Sequence, residues 1–124
     1  FNLPLPQEVH TAFSAHEHRF RVHAGEVETS LLLHLAPEQV QMARAQNFAS
    51  TSATRAQRFA ILGNGKSAKL GWAMQDYNPA GAAGNAAAAD AQRGQALVEA
   101  AAQGLAQLLQ EMHQLPLDTV GPAY

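Results

Sequence analysis

Apolar residues recur at intervals of three and four positions over residues 91–113. This spacing places them on one face of an α-helix and leaves a row of glutamines on the opposite face. Pro116 follows and cannot continue a helix, so the pattern stops there. We therefore predict one long amphipathic helix over residues 91–113. Its apolar positions are Leu97, Val98, Ala101, Leu105, Leu108, Leu109 and Met112.

Shorter patterns precede this helix. The spacing of apolar residues predicts a helix over Glu26–Leu35, and Pro37 opens a further helical turn that runs to about residue 45. Alternation of polar and apolar residues predicts a short strand over residues 19–23. Residues 58–62 are a second strand candidate, ended by a Gly-Asn-Gly turn at residues 63–65.

Loops are predicted over residues 1–18, residues 46–56 and a Gly/Ala-rich stretch at residues 76–90 that runs into a helix, while residues 66–75 show no clear pattern. Two short strands are too few for a sheet that is stable by itself. We therefore predict an α/β architecture in which residues 1–124 form the C-terminal portion of a single domain, and the main sheet is largely supplied by residues absent from this chain. The start at Phe1 instead of Met is expected of a piece of a longer polypeptide, with tag removal, proteolysis or a disordered start as the alternatives.

Composition narrows the classes of function. The net charge of the 124 residues is -2 and Lys and Arg form no run, so nucleic acid is not an expected partner. No apolar run approaches the roughly 18 residues of a membrane span. The chain has no cysteine, which excludes disulfides and thiolate metal ligands and fits a cytoplasmic protein. Only 15% of residues are charged, so some apolar surface is expected to meet a partner.

Candidate chemistry lies where the first predicted strand meets the helix that follows. His23 ends the strand, and Gly25 permits a sharp turn before a helix with two carboxylates in its first turn. Glu28 shares a helix face with the leucines three, four and seven positions later, so it is predicted to point into the core, while Glu26 points sideways or outward. A buried carboxylate needs a positive or hydrogen-bonding partner, of which a metal ion is one. Alternatively, Glu28 caps its own helix and His23 is an ordinary core histidine.

The sequence H-A-G-E-V-E-T-S-L-L-L-H-L-A-P-E-Q-V, at residues 23–40, resembles the signature of the creatininase (creatinine amidohydrolase) family. The resemblance continues in G-W-A-M-Q-D-Y-N-P-A-G-A-A-G-N-A, at residues 71–86, and in the closing helix. It implies a three-layer α/β/α sandwich with a mostly parallel sheet, whose N-terminal strands are missing here. It also implies an assembly of several identical subunits, often a hexamer.

The resemblance further implies an active site with two divalent metal ions (zinc, manganese or iron), most of whose ligands come from N-terminal motifs not found in this chain. His23 matches the family histidine that donates or shuttles a proton near the scissile bond. Glu28 matches the carboxylate of the H-x-G-x-x-E-T motif and is the metal candidate, as a ligand or directly beside one. Glu26 is a secondary candidate whose role is doubtful.

Two further residues are candidates for substrate binding. Trp72, the one tryptophan, is a possible flap or pocket wall, with a core or subunit contact as the alternative. Asn85 could present its amide to the site, although the glycines before it more simply permit a tight entry into a helix. The cluster of His16, Glu17 and His18 suggests a metal site at first sight, but we predict surface histidines there because three or four ligands must converge on a transition metal.

The leading hypothesis is a metal-dependent amidohydrolase in which a metal-bridging water attacks the carbonyl of a C–N amide bond in a cyclic amide, a formamide or a small linear amide. It requires the N-terminal half of the same enzyme as a partner. The alternative is a non-enzymatic helical module for interaction or assembly, which would fold alone without metal. A degenerate family member kept for assembly is a third hypothesis.

Overall fold

The computed structural model describes residues 5–119 and 121. This part of the chain forms five α-helices: α1 (Gln7–Thr11), α2 (Ala15–Phe20), α3 (Glu26–Leu35), α4 (Thr51–Arg58) and α5 (Ala91–Gln114). The strands β1 (Asn47–Phe48) and β2 (Gly84–Asn85) pair antiparallel, with Asn47 opposite Asn85 and Phe48 opposite Gly84. Short 3-10 turns occur at Pro37–Gln39, Met42–Arg44, Met74–Asp76, Ala86–Ala88 and Leu117–Thr119.

The long C-terminal helix is confirmed. It begins after Asp90, whose carboxylate accepts hydrogen bonds from the backbone N–H groups of Gln92 at 2.7 Å and Arg93 at 3.0 Å. These bonds satisfy two of the N–H groups that lack a partner inside the helix. The first half of α5 packs against the rest of the chain, whereas Leu105, Leu109 and Met112 in its second half are exposed.

Helices α3 and α5 form the most extensive contact between elements. At their crossing, a Cβ added to Gly94 would lie 1.9 Å from the carbonyl oxygen of Ser30, so only glycine fits. Ser30 is fully buried, and its hydroxyl accepts a hydrogen bond from the N–H of Asp90 at 3.0 Å. Small residues therefore set the distance between these two helices, and a hydrogen bond joins α3 to the start of α5.

The helix over Glu26–Leu35 has the predicted bounds, but its apolar stripe is covered only in part. Val27 is buried, Leu31 is half-buried, and Leu32 and Leu35 are exposed. The contact with α5 is made by small residues instead, because a backbone crossing at Ser30 leaves no room for leucine there.

The strand over residues 19–23 is wrong. Arg19 and Phe20 belong to α2, whose first turn is capped by the Ser14 hydroxyl accepting a hydrogen bond from the N–H of Glu17 at 3.0 Å. Beyond the helix, however, Val22 donates to the carbonyl of Ala83 at 2.9 Å, and Ala83 donates to that of His23 at 2.9 Å. Part of the alternating segment is therefore extended, but the extended part begins only after Phe20.

The strand over residues 58–62 is also wrong, since Arg58 ends α4 and Leu62 makes one isolated bridge to Ala68. The loop predictions for residues 1–18 and 46–56 are wrong where α1, α2, α4 and β1 lie. These helices span five to eight residues, too few for apolar periodicity to show. The Gly-Asn-Gly turn is confirmed, with φ values of 138° at Gly63 and 67° at Gly65.

The mostly parallel sheet is not formed by residues 5–119, whose two strands are antiparallel. The core of this region is small and rich in alanine; its buried apolar residues are Phe13, Val27, Tyr77, Ala82, Ala83, Ala86 and Ala100. Over the same residues, no helix has both the length and the apolar composition that a membrane crossing requires.

Candidate functional site

The loop between α2 and α3 holds His23 at the surface. Its two backbone hydrogen bonds with Ala83 fix one side of the loop. Ala24 adopts φ 53°, in the left-handed region that residues with a Cβ seldom occupy. Such a conformation costs free energy and persists only where surrounding contacts enforce it. The backbone next to His23 is therefore held in one shape.

His23 and Glu28 lie side by side. The Nδ1 atom of His23 is 3.5 Å from Oε1 of Glu28, with side chains 63% and 41% exposed. The other carboxylate oxygen of Glu28 accepts a hydrogen bond from the N–H of Ala24 at 2.9 Å. Glu28 therefore holds the backbone just before α3 and also faces the imidazole of His23.

The predicted orientation of the two carboxylates is wrong. Glu26 is buried, with 6% of its surface exposed, and forms an ion pair with Arg93, whereas Glu28 is partly in solvent. The helix face was assigned from the leucines, but Ser30 is the residue that meets α5. Glu26 precedes Ser30 by four positions and therefore shares its face. Glu26 therefore has a structural role, as the partner of Arg93 in a buried ion pair.

Trp72 lies beside His23. The two rings have centroids 6.4 Å apart, and Trp72 contacts Tyr77 edge to face at 4.9 Å. Tyr77 is fully buried, and its hydroxyl donates a hydrogen bond to Oδ1 of Asn64 at 2.6 Å. This places Trp72, itself 46% exposed, as a wall next to the imidazole. Trp72 also lines a cavity of about 280 Å³ near Asn64 and Lys69.

Asn85 belongs to a different cavity. This polar cavity has a volume of about 240 Å³, and its lining includes Asn85, Glu17, Arg21, Asn47 and Ser50. His23, Glu28 and Trp72 are outside that lining. The structure thus brings His23, Glu28 and Trp72 together and places Asn85 on β2, next to the Ala83 backbone that pairs with the His23 loop.

Glu17 is a functional candidate that the sequence pattern did not indicate. Its side chain is buried, and its two carboxylate oxygens accept hydrogen bonds from the N–H groups of Val27 at 3.4 Å and Asn85 at 3.2 Å. A signal was present, because Ser14 followed three residues later by glutamate is the sequence pattern of a helix start. That pattern predicts the helix α2, but the long-range partners of the carboxylate are set by the fold.

Arg93 and Tyr77 were missed as well. The guanidinium of Arg93 contacts Glu26, the carbonyl of Ala12 at 3.0 Å and the ring of Phe13 at 5.2 Å. No local signal marks Arg93, since its partners come from other elements. Its backbone N–H holds the pKa of Asp90 below the usual value.

The histidines near α2 contact aromatic rings and the backbone. His18 stacks on His10 at 4.1 Å and hydrogen-bonds to its carbonyl, while His16 packs on Phe20 at 4.8 Å. Residues 5–119 and 121 contain no group of three or more His, Asp or Glu side chains placed to hold a metal. His23 and Glu28 would contribute two groups at most, fewer than a zinc ion requires.

Comparison with known proteins identifies the family. The family model described as "Creatininase: Creatinine amidohydrolase" matches residues 2–109. The chain belongs to the creatininase family. This match confirms the resemblance of residues 23–40 and 71–86 to creatininases. No curated protein matches the chain significantly.

A related crystal structure supports this membership. It is that of a candidate creatinine amidohydrolase from Bacteroides fragilis NCTC 9343, which is 27% identical and superimposes with a TM-score of 0.59. The match covers 89% of this chain and 42% of the related one. The creatininase fold therefore extends over most of this chain, which spans less than half the length of that relative.

Proposed function

We propose that this chain supplies part of the active site of an amidohydrolase that cleaves a C–N amide bond. The observation that carries the proposal is the position of His23, within 3.5 Å of Glu28 and beside Trp72, in a creatininase-family chain. An exposed imidazole next to a carboxylate and an aromatic wall is a suitable arrangement for proton transfer to a small bound molecule.

In this proposal His23 protonates the departing nitrogen of the amide. The carboxylate of Glu28 beside Nδ1 favours the tautomer with a proton on that atom, which leaves Nε2 free to take a proton from the attacking water and pass it to the departing nitrogen. Backbone hydrogen bonds at Ala24 and Ala83 keep the loop in place. Trp72 limits the space next to the imidazole, so it is the proposed contact for a flat amide.

The proposal includes two divalent ions, zinc, manganese or iron, but the described residues do not complete a site for either one. Glu28 is the proposed contributor from this chain, and further ligands must come from other polypeptide. When bound, such ions lower the pKa of a coordinated water and so create a nucleophile near neutral pH.

The partner in this proposal is the remaining part of the creatininase domain, which would also provide a mostly parallel sheet in a three-layer sandwich. That partner would cover apolar surface that residues 5–119 leave exposed. The substrate class is a cyclic amide, a formamide or a small linear amide. Assembly of several identical subunits in the cytoplasm, as a hexamer, belongs to the proposal too.

The test is hydrolysis of creatinine, formamide and a small cyclic amide by this chain together with the remaining part of the domain, with and without added zinc, manganese or iron. We expect His23→Ala to reduce turnover by about 10²- to 10⁴-fold, the usual contribution of a positioned acid or base. Glu28→Ala should reduce both turnover and bound metal. His34→Ala and Glu38→Ala, at exposed positions of α3 and the turn after it, are the matched controls. Undiminished hydrolysis in the His23→Ala and Glu28→Ala variants would sink the site assignment.

A second candidate function is a helical assembly module. The exposed apolar side chains of Leu105, Leu109 and Met112 on α5 favour it. It predicts a cooperatively folded, metal-free protein without hydrolytic activity. Replacing these three residues by glutamine would then abolish association, as measured by sedimentation.

A further inference from the structure

Glu17 is the most enclosed charged residue among those described, with 2% of its surface exposed. A carboxylate removed from water must be compensated by hydrogen bonds or opposite charge. Within residues 5–119 and 121 it forms no ion pair. Instead, each of its oxygens accepts one backbone N–H, from Val27 at 3.4 Å and from Asn85 at 3.2 Å.

One of these bonds compensates for a missing cap. The residue before α3 is Gly25, which has no side chain to accept a hydrogen bond from the first turn. The carboxylate of Glu17 takes that place from another helix, at the end of α3 where backbone N–H groups favour negative charge. The start of the helix that carries Glu28 is therefore held by a residue of α2.

The second bond reaches the segment that carries Asn85. The two segments touch closely, since a Cβ on Gly84 would lie 2.5 Å from the Cα atom of Gly25. A Cβ on Gly25 would lie 2.3 Å from Oε1 of Glu17. Gly25 is thus required by close approach of Glu17 and not by the turn itself, because the positive φ is at Ala24.

We propose that Glu17 is a positioning residue that holds the loop bearing His23, and the first turn of α3 bearing Glu28, against β2. Among the described residues, its carboxylate is the one side-chain group that hydrogen-bonds to both the first turn of α3 and Asn85. It does not reach the substrate: it acts by fixing where the imidazole and the carboxylate of the site stand. The effect on the loop is independent of the reaction, whereas the effect on turnover rests on the proposed function.

The test of the loop is amide hydrogen exchange in Glu17→Gln, which keeps the size of the side chain but turns one acceptor into an NH₂ donor. In Glu17→Gln the two amides lose their charged acceptor, which weakens both hydrogen bonds. We therefore expect exchange at Val27 and Asn85 to become at least about tenfold faster. Exchange at the buried Ala100 of α5 should change less than about twofold, because that amide makes no hydrogen bond to Glu17. The control is Glu99→Gln, at an exposed position on α5.

A second pair of variants keeps the test decisive if Glu17→Gln unfolds. Glu17→Asp retains the charge but shortens the reach, and should raise exchange at the same two amides by a smaller factor. Gly25→Ala would displace the Glu17 side chain and should reproduce the local effect. Uniform acceleration at all amides, or none at Val27 and Asn85, would overturn the proposal.

Turnover is measured per folded molecule in the complete domain. We expect Glu17→Gln to lower kcat about tenfold or more with a much smaller change in KM, and Glu17→Asp to recover part of kcat, since a positioned acid acts in the transition state. Unchanged turnover per folded molecule would refute a positioning role. If the unmodified protein does not hydrolyse amides, the proposed function fails. Hydrogen exchange alone then tests whether Glu17 holds the loop and the start of α3 against β2.

Discussion

Removing the positive partner of Glu26 tests whether the buried ion pair holds α3 and α5 together. In Arg93→Met the carboxylate of Glu26, whose side chain is 8% exposed, stays buried without a counter-charge. Breaking such a pair costs about 3–5 kcal/mol of unfolding free energy. Because the side chain of Arg93 is 28% exposed, water can reach part of the site, and we expect a loss of about 3 kcal/mol.

The second half of the experiment is a double-mutant cycle. Glu26→Gln preserves shape and removes the charge, so we expect a loss of about 1–2 kcal/mol from the unpaired guanidinium and the lost hydrogen bond. The double variant has neither charge of this pair and so leaves no unpaired charge between α3 and α5. It should therefore be less destabilised than the sum of the single variants, by about 1–2 kcal/mol.

The assay is urea unfolding followed by circular dichroism and by fluorescence of Trp72, the one tryptophan of the chain. Arg44→Met is the matched control, since Arg44 is exposed and hydrogen-bonds to the nearby Gln41. Its effect should stay within about 0.5 kcal/mol. A loss below about 1 kcal/mol for Arg93→Met, or a coupling near zero, would refute the argument.

Three further predictions concern the backbone and pH. Gly94→Ala should lower the unfolding free energy by about 1–3 kcal/mol, because its Cβ would overlap the backbone of α3. Gly71→Ala, with free space around it, should change the unfolding free energy little. Equal urea midpoints for the two variants would contradict this. Ala24→Gly should raise the melting temperature slightly or leave it unchanged, since relief of the positive φ offsets the greater chain entropy of glycine; a clear drop would contradict it. The pKa of Asp90 is held below its usual 3.8 by the N–H of Arg93, so its charge stabilises the fold above that pH and ceases to do so as the pH falls through the lowered value. The gap in urea midpoint between the unmodified protein and Asp90→Asn should therefore shrink in strong acid, and a constant gap would argue against a charge effect.

The local sequence pattern was sufficient to predict the two longest helices and one turn. The helix over Glu26–Leu35 and most of α5 follow from repeated apolar spacing and from a stop at proline. The turn at residues 63–65 follows from its two glycines, because only glycine adopts such φ values at little cost. The motif at residues 23–40 was likewise sufficient to indicate the family.

The short elements were beyond the reach of the same reasoning. α2 and α4 contain six and eight residues, so they show too few apolar repeats to be distinguished from loops. The two strand candidates each span five residues, but a strand requires a neighbour to pair with. Within the described residues, β1 finds that neighbour in β2 instead, 36 positions along the chain from Phe48 to Gly84.

For the site, the sequence determined which residues are available and that His23 and Glu28 lie close together, because five positions across a turn cannot separate them far. Tertiary structure decided the rest. Glu26 is paired with a residue 67 positions away, and Glu17 holds one 68 positions away. Which carboxylate is buried depends on where α5 crosses α3, and a helical period gives the faces of one helix without saying which face its neighbour covers.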